Sequence, residues 1–302
     1  MSFRVALSGC ARSGSNGAVH DAIAATDPLL YLAVGDLHYA NLDSDDPAVF
    51  RAALRRQLVQ PGQAALYRDV PIGYVWDDHD YGPNNAGAES PTRSAARTAY
   101  RQMVPHYPLT EPGDAPIQQA FTIGRVRFVM TDTRSERTSS SMLGAAQEEW
   151  LVDELTRASR THAVVVWVNA VPWVGAADPV SDTWAGWSDD RRRIADAISD
   201  AGVDNLVMLS GDAHMVAVDD GTNTDYSTAR TGGFPLLHAA ALDRPGGVKG
   251  GPYSEGTFPG GGQFATMDIA DDGASVVVTF TGRTWEGEEL VRYQFGVDAP
   301  AA

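Results

Sequence analysis

The sequence predicts an α/β layered fold, and three patterns in it support this prediction. Continuous apolar runs recur over the first two thirds of the chain, and amphipathic stretches fall between most of them. From about residue 263 the pattern changes to a two-residue period. Runs that are apolar at every position suit strands buried on both faces, whereas alternation suits antiparallel strands with one buried face.

Six apolar runs, most of them rich in β-branched and aromatic residues, are predicted to be strands. They span residues 3–7, 29–35, 71–76, 126–131, 162–168 and 205–211. None is as long as the roughly 18 apolar residues of a membrane-spanning helix, so we expect no membrane association.

Helical periodicity between these runs predicts four helices. They span residues 46–58, 91–103, 145–159 and 189–202. The last carries Ile194 and Ile198 one turn apart, and Gly202 suits its end because glycine readily takes the left-handed conformation that follows a helix.

The C-terminal part of the chain predicts a β-hairpin and, before it, a long loop. Residues 264–282 alternate around Asp271-Asp272-Gly273, a sequence typical of a tight turn. Residues 243–262 are rich in glycine, and a loop of that length is typical of a lid over a site. We find no linker and expect residues 1–302 to form a single catalytic domain.

Composition excludes some classes of function. The net charge of −16 leaves no basic face for nucleic acid. One cysteine, Cys10, allows no internal disulfide. The first residues indicate a strand rather than a signal peptide, so we expect the chain as written to stay in the cytoplasm, with export only if a leader has been removed.

Polar or ionisable side chains, most of them able to bind metal, follow every predicted strand. They are Cys10, Asp36, His38, Tyr39, Asp77, Asp78, His79, Asp80, Asp132, Arg134, Asn169, Asp212 and His214. A single aspartate at such a place is usually a helix cap. Because the loops after several strands meet at one edge of an open α/β sheet, the repeated pattern favours a metal site there.

The types of donor narrow the choice of metal. Carboxylates dominate, with one or two imidazoles, a thiol and a phenol, which favours calcium, magnesium, manganese or ferric iron over a zinc cage. Cations between the carboxylates also explain why four charged or ionisable residues can follow an apolar strand in "WDDHD" at 76–80.

These motifs, in this order, resemble the PhoD-like alkaline phosphatase/phosphodiesterase family of the calcineurin-like metallophosphoesterase superfamily. The matching segments are "GC" at 9–10, "GDLHY" at 35–39, "WDDHDYGPNN" at 76–85, "DTRSER" at 132–137, "LGAAQEEWL" at 143–151, "VPW" at 171–173, "DTWAGWSDDR" at 182–191 and "SGDAH" at 210–214. The resemblance covers roughly residues 5–215 and continues more weakly to the C-terminus.

The resemblance implies a four-layer αββα sandwich of two mixed β-sheets flanked by helices. It also implies Fe3+ and Ca2+ as cofactors, with Mn2+, Mg2+ or Zn2+ as alternatives. The implied metal ligands are Cys10, Asp36, Tyr39, Asp78, Asp212 and His214. His79 matches the histidine that contacts the phosphate or protonates the leaving group, while Arg134 and Asn85 resemble groups that face the phosphate or a second metal. Asn169 stands where many relatives keep a metal-binding histidine.

Several residues keep a structural interpretation beside the functional one. Cys10 could be an inert buried thiol and Tyr39 a packed aromatic. We interpret His38 as structural and Asp77 as a residue that orients the ligands, and Asp80 suits either role.

The resemblance thus implies a metal-dependent hydrolase of small phosphate esters in which an activated water attacks phosphorus directly, with Arg134 and His79 as catalytic groups. No "GxSxG" or P-loop motif suggests a covalent intermediate. Two alternatives stay open: a phosphodiesterase or phosphotriesterase for a bulky substrate, and a metal-binding relative without activity.

Overall fold

The structure is a computed structural model that describes residues 1–11, 17–109 and 112–297. Its strands are β1 (Phe3–Ser8), β2 (Leu30–Val34), β3 (Ile72–Val75), β4 (Gln119–Ile123), β5 (Val126–Met130), β6 (Val164–Val168), β7 (Leu206–Ser210), β8 (Met215–Asp219), β9 (Leu236–Ala239), β10 (Thr257–Pro259), β11 (Gln263–Asp271), β12 (Val276–Thr284) and β13 (Glu289–Val297). Its helices are α1 (Ala18–Ala25), α2 (Pro47–Leu58), α3 (Pro61–Asp69), α4 (Asp78–Tyr81), α5 (Arg93–Met103), α6 (Ala145–Ser159) and α7 (Ser188–Asp200).

The predicted strands and helices are all present, with ends that differ by one or two residues. Gly202 follows α7 with φ of +63°, as expected for a residue that ends a helix. The hairpin formed by β11 and β12 is also present, but β13 extends it into three antiparallel strands. The loop at 243–262 is interrupted by the short strand β10, which the sequence did not predict.

The strands form two mixed sheets flanked by helices, the αββα arrangement that the resemblance implied. The first sheet has the order β13-β12-β11-β1-β2-β3 and the second the order β10-β8-β9-β7-β6-β5-β4. Strands β1 to β3 pair in parallel, as do β5, β6, β7 and β9, and antiparallel strands complete both sheets. No helix in the described part of the chain is long and apolar enough to cross a bilayer.

Alternating side chains of β1 show how the layers are held together. Val5 and Leu7 join the apolar cluster that also contains the strands of the second sheet, whereas Ala6 packs in a separate cluster with α1, α2 and α5. Strand β6 is buried at every position because the first sheet covers one face and α6 and α7 cover the other. Each fully buried aliphatic side chain contributes roughly 1.5–3 kcal/mol, so this double coverage stabilises the centre of the fold.

Two glycines allow the loops at the carboxyl ends of the strands to approach one another closely. A Cβ atom on Gly211, after β7, would lie 2.2 Å from the carbonyl oxygen of Val34 at the end of β2. A Cβ atom on Gly35 would lie 2.7 Å from the Cβ atom of Asp77, and Gly35 has φ of +92°. A larger residue at either position would push these loops apart: Gly211 lets the two sheets meet, and Gly35 lets the loops after β2 and β3, both in the first sheet, meet beside them.

Candidate metal centre

The loops that end β1, β2 and β7 carry their polar side chains in an uncommon backbone conformation. Cys10, Asp36 and Asp212 have φ of 59°, 55° and 74°. Non-glycine residues adopt this left-handed conformation rarely and at a cost, and such residues cluster at functional sites. The backbone N–H of Cys10 donates to the Gly35 carbonyl at 3.2 Å, so the first two loops fix each other.

Asp36 lies at the centre of the crevice. Its carboxylate, a carboxylate oxygen of Asp78 and a ring nitrogen of His79 lie within 4.8 Å of one another. Asp36 is 2% exposed, and its Oδ1 has no hydrogen-bond partner among the described residues. Burial, followed by the charges of Asp77, Asp78 and Asp80, raises the pKa of Asp36 well above its usual range. A buried carboxylate oxygen without a partner is costly, so this arrangement fits a bound cation.

A softer set of donors lies on one side of Asp36. The Cys10 thiol donates to Asp36 Oδ2 at 3.5 Å, and the Tyr39 hydroxyl lies 3.1 Å from Nε2 of His214. Burial raises the pKa of both Cys10 and Tyr39, so the thiol and the phenol are neutral without a cation. A metal ion favours their deprotonated forms, which is how such groups become ligands.

Asp78 is held in its ionised form by its surroundings. It begins α4, and its carboxylate accepts the backbone N–H groups of His79 at 2.9 Å and Asn85 at 2.7 Å. Burial raises the pKa of Asp78, but the charge of Arg134 and these N–H donors outweigh it, so the pKa lies below its usual value. Asp78 therefore offers a negative charge to the crevice.

Arg134 does not face the crevice directly. Its Nε donates to Asp77 Oδ1 at 2.5 Å, and both side chains are 0% exposed. Its Nη2 lies 4.0 Å from Asp78 Oδ1. With no solvent-accessible surface, Arg134 contacts the site through Asp77 and Asp78 rather than as a group on the wall of the cavity. Asp77, which the sequence analysis interprets as an orienting residue, is thus the direct partner of Arg134.

Two predicted neighbours of the site also lie slightly apart from it. Asn85 binds Asp78 through its backbone, and its side chain borders an adjoining cavity, whereas Asn84 lines the crevice itself. The side-chain oxygen of Asn169 accepts from Trp184 Nε1 at 3.0 Å and from the backbone of Val171 at 3.1 Å. The side-chain oxygen of Asn169 is therefore already engaged in two hydrogen bonds within the protein.

The sequence analysis missed two cations that the glycine-rich loop brings to the crevice. Lys249 Nζ donates to Asp182 Oδ2 at 2.7 Å and to both oxygens of Asp212 at 2.9 and 3.0 Å. The guanidinium of Arg244 lies 4.0 Å from the centre of the Tyr39 ring. Burial raises the pKa of Asp212 to about 6 although Lys249 opposes the shift. A signal was available: Lys249 is the single lysine in the sequence.

The crevice is a cavity of about 370 Å3 lined by residues from both sheets. Asp36, Tyr39, Asp78, His79, Asp212 and His214 all contribute to its lining. Cys10 lies behind it, fully buried, with its sulfur 3.4 Å from the carbonyl oxygen of Asp212. All six residues that the resemblance implied as ligands are therefore gathered around one crevice, together with His79.

Comparison with known proteins gives a consistent result. Residues 6–234 match the family described as PhoD-like phosphatase. Alkaline phosphatase D of Bacillus subtilis (strain 168) is 25% identical over 187 residues, a match that covers 50% of this chain and 32% of that protein. The match thus spans about a third of the length of this relative.

Solved structures share the fold. One described as the structure of PhoD superposes with a TM-score of 0.77 and 16% identity, covering 100% of this chain and 72% of that one. The purple acid phosphatase PPD1 from yellow lupin (Lupinus luteus) seeds superposes with a TM-score of 0.67 and 13% identity, covering 99% and 54%. At these identities the likeness is one of fold.

Proposed function

Because the chain belongs to the PhoD-like phosphatase family, we propose that it is a metal-dependent phosphoric ester hydrolase in which water attacks phosphorus directly. The observation that carries the metal dependence is the unpartnered, buried Oδ1 of Asp36 at the centre of a ring of donors. A stable fold would not keep an ionised carboxylate there without a compensating cation.

The donor chemistry divides the crevice into two parts. Cys10, Tyr39 and His214 provide a thiolate, a phenolate and an imidazole, which suit ferric iron. Asp78 and Asp212 provide hard oxygens, which suit calcium, with manganese, magnesium or zinc as alternatives. Bound cations of this kind supply a water that is reactive near neutral pH and positive charge for the phosphoryl oxygens.

His79 is the residue that we propose to move a proton. Its Nδ1 is hydrogen-bonded to Asn41 Oδ1, and its ring packs on Tyr39 with centroids 4.1 Å apart. These two contacts fix the ring and leave Nε2, which lies 4.0 Å from Asp78 Oδ1, for the substrate. Because Nδ1 donates to the amide oxygen of Asn41, Nε2 carries a proton only when the ring is an imidazolium, and in that form it binds a phosphoryl oxygen or gives its proton to the departing oxygen.

The remaining residues hold the substrate and the ligands in place. Arg244 and Lys249 put two positive charges on the wall of a cavity in a chain of net charge −16, which favours a phosphate ester there. Arg134 acts behind the wall, where it fixes Asp77 and Asp78. The volume of about 370 Å3 suits a small phosphate ester.

The variant Asp36→Asn tests the proposal. Asparagine tolerates the left-handed conformation of position 36, so the fold should be kept. We expect bound metal to fall and hydrolysis of 4-nitrophenyl phosphate to fall at least about 100-fold.

Elemental analysis and steady-state kinetics measure the two effects. Asp45→Asn, at an exposed position of the same part of the chain, is the matched control and should change neither. Full activity in Asp36→Asn would contradict the proposal. If the native chain binds metal but hydrolyses no model ester, the protein is a metal-binding relative without activity.

A further inference from the structure

The loop that carries Asp212 and His214 crosses the end of a neighbouring strand. It consists of residues 211–214 and joins β7 to β8, but β9 lies between these two strands in the second sheet. The loop therefore bridges about 9.5 Å, which is two strand spacings, at the carboxyl end of β9. Because it lies outside the ladder of paired strands, its position depends on other contacts.

The backbone of this loop turns twice in succession. The N–H of Ala213 donates to the Gly211 carbonyl at 3.0 Å around Asp212, and the N–H of Met215 donates to the Ala213 carbonyl at 2.7 Å around His214. With φ of 74°, Asp212 is the centre of a γ-turn of the rare and strained kind. Each of the two proposed ligands is thus the central residue of a turn, and the Ala213 carbonyl lies between them. A strained conformation of this kind persists only where its surroundings fix it.

His238, on β9, provides such a contact from the sheet. Its side chain is fully buried, its Nε2 lies 2.8 Å from the Ala213 carbonyl oxygen, and its Nδ1 lies 2.9 Å from the Ser210 hydroxyl oxygen. His238 is paired with Ser210, the last residue of β7, so its ring lies at the point where the loop leaves that strand. One side chain thus connects the end of β7 to the middle of the loop.

The two hydrogen bonds determine where the proton of His238 lies. A carbonyl oxygen can only accept, so Nε2 carries a hydrogen and donates it to Ala213. Burial lowers the pKa of His238 to about 4, so the ring is neutral near neutral pH and Nδ1 accepts from the Ser210 hydroxyl. The crevice is lined by other residues, so His238 acts on it through the loop.

We propose that His238 is a positioning residue of the metal centre: its Nε2–H holds the Ala213 carbonyl and so sets where Asp212 and His214 present their donor atoms. The inference rests on the proposed function. Residues that orient metal ligands through hydrogen bonds change the affinity for the metal when they are replaced, although they do not touch it. Histidine suits this role because one ring nitrogen reaches the loop while the other is fixed by β7.

Two amides at position 238 separate the bond to the loop from the bond to β7. Glutamine places its Nε2 where histidine has Nε2 and can donate to Ala213, whereas asparagine ends where histidine has Nδ1 and reaches only Ser210. After removal of metal, we expect His238→Asn to lower the affinity for Mn2+ at least about tenfold in a calorimetric titration, and His238→Gln to lower it less than about threefold. His20→Asn, at a buried histidine on α1 outside the lining of the crevice, is the matched control and should lower the melting temperature without changing the affinity for Mn2+.

A second variant decides the matter if His238→Asn does not fold. Ser210→Ala removes the hydroxyl that fixes the tautomer of His238 and should lower the affinity for Mn2+ at least about twofold. Equal losses in His238→Asn and His238→Gln would overturn the inference, as would an unchanged affinity in His238→Asn or, where that variant does not fold, in Ser210→Ala. If the native chain and its variants bind Mn2+ as expected but the native chain hydrolyses no ester, the proposed function fails and the positioning role stands. If the native chain binds no cation, both fail.

Discussion

Replacing Arg134 by methionine distinguishes a residue that positions ligands from one that clamps phosphate. The Arg134 guanidinium and the Asp77 carboxylate form an ion pair with both side chains 0% exposed. Arg134→Met keeps the length of the side chain but leaves Asp77 as a buried charge without its cation. Because Arg134 has no surface in the cavity, the change should act through Asp77 and Asp78.

The expected loss of stability in Arg134→Met follows from the burial of the ion pair. Removing one partner of a fully buried ion pair costs about 3–5 kcal/mol. With an unfolding entropy of about 2.1 cal/mol/K per residue over 302 residues, the melting temperature should fall by about 5 to 8 °C. A displacement of Asp78 within the site should lower kcat about 10- to 100-fold, since small errors in the position of reacting groups are costly.

Thermal unfolding and steady-state kinetics on 4-nitrophenyl phosphate, below the lower melting temperature, measure these effects. We expect kcat to fall while KM changes less than about twofold, because no contact with the substrate is lost. Arg192→Met, at an exposed ion pair, should change neither quantity. A large rise in KM with unchanged kcat would show that Arg134 binds the phosphate itself and would refute the assignment made from its burial.

Four further predictions use other parts of the chain. Burial lowers the pKa of His20 to about 4, so as the pH falls from about 6.5 to 4 the histidine takes up its proton in the unfolded chain before it does so in the folded one. The free energy of unfolding should therefore drop in that window by up to about 3 kcal/mol, and by less in His20→Leu. Denaturant unfolding at a series of pH values measures this difference. A chelator should abolish hydrolysis and lower the melting temperature, and added metal should restore both. Lys249→Met should raise cation affinity in a calorimetric titration, because the ammonium no longer occupies Asp212, and should raise KM for a phosphate ester. Tyr39→Phe should remove the phenolate contribution to the visible charge-transfer absorption of an iron-loaded sample and leave any contribution of the Cys10 thiolate, with the metal content measured in parallel.

The sequence was sufficient for those features that depend on local pattern. The buried strands and longer helices have continuous or periodic apolar residues, and the residues after each strand were expected to meet because parallel strands end at one edge. Several short elements were missed: α1, α3, α4, β4, β8, β9 and β10 have three to nine residues each, and a period is hard to see in so few residues. Strand β13 was missed because most of its residues are partly or fully exposed.

The burial of Arg134 and the contacts of Lys249 could not be predicted in the same way. Both depend on how residues far apart in the sequence meet: Arg134 is paired with Asp77, 57 positions away, and Lys249 with Asp182, 67 positions away. Sequence spacing gives the chemical type of such residues but not which surface they face. The composition of the loop at 243–262 indicated a long segment typical of a lid over a site, but not which of its side chains lie in the crevice.

Most of the acids in the crevice have a partner within the protein, and this determines where a cation is required. Asp77 is paired with Arg134, Asp80 accepts the backbone N–H groups of His38 and Asp77, and Asp212 is bound by Lys249. Asp36 has no comparable cationic partner among the described residues, and burial, followed by the charges of its acidic neighbours, raises its pKa. Without a cation Asp36 therefore holds a proton, and with one it releases that proton and keeps the charge. Metal binding should thus weaken as the pH falls, since the proton and the metal compete for the same carboxylate.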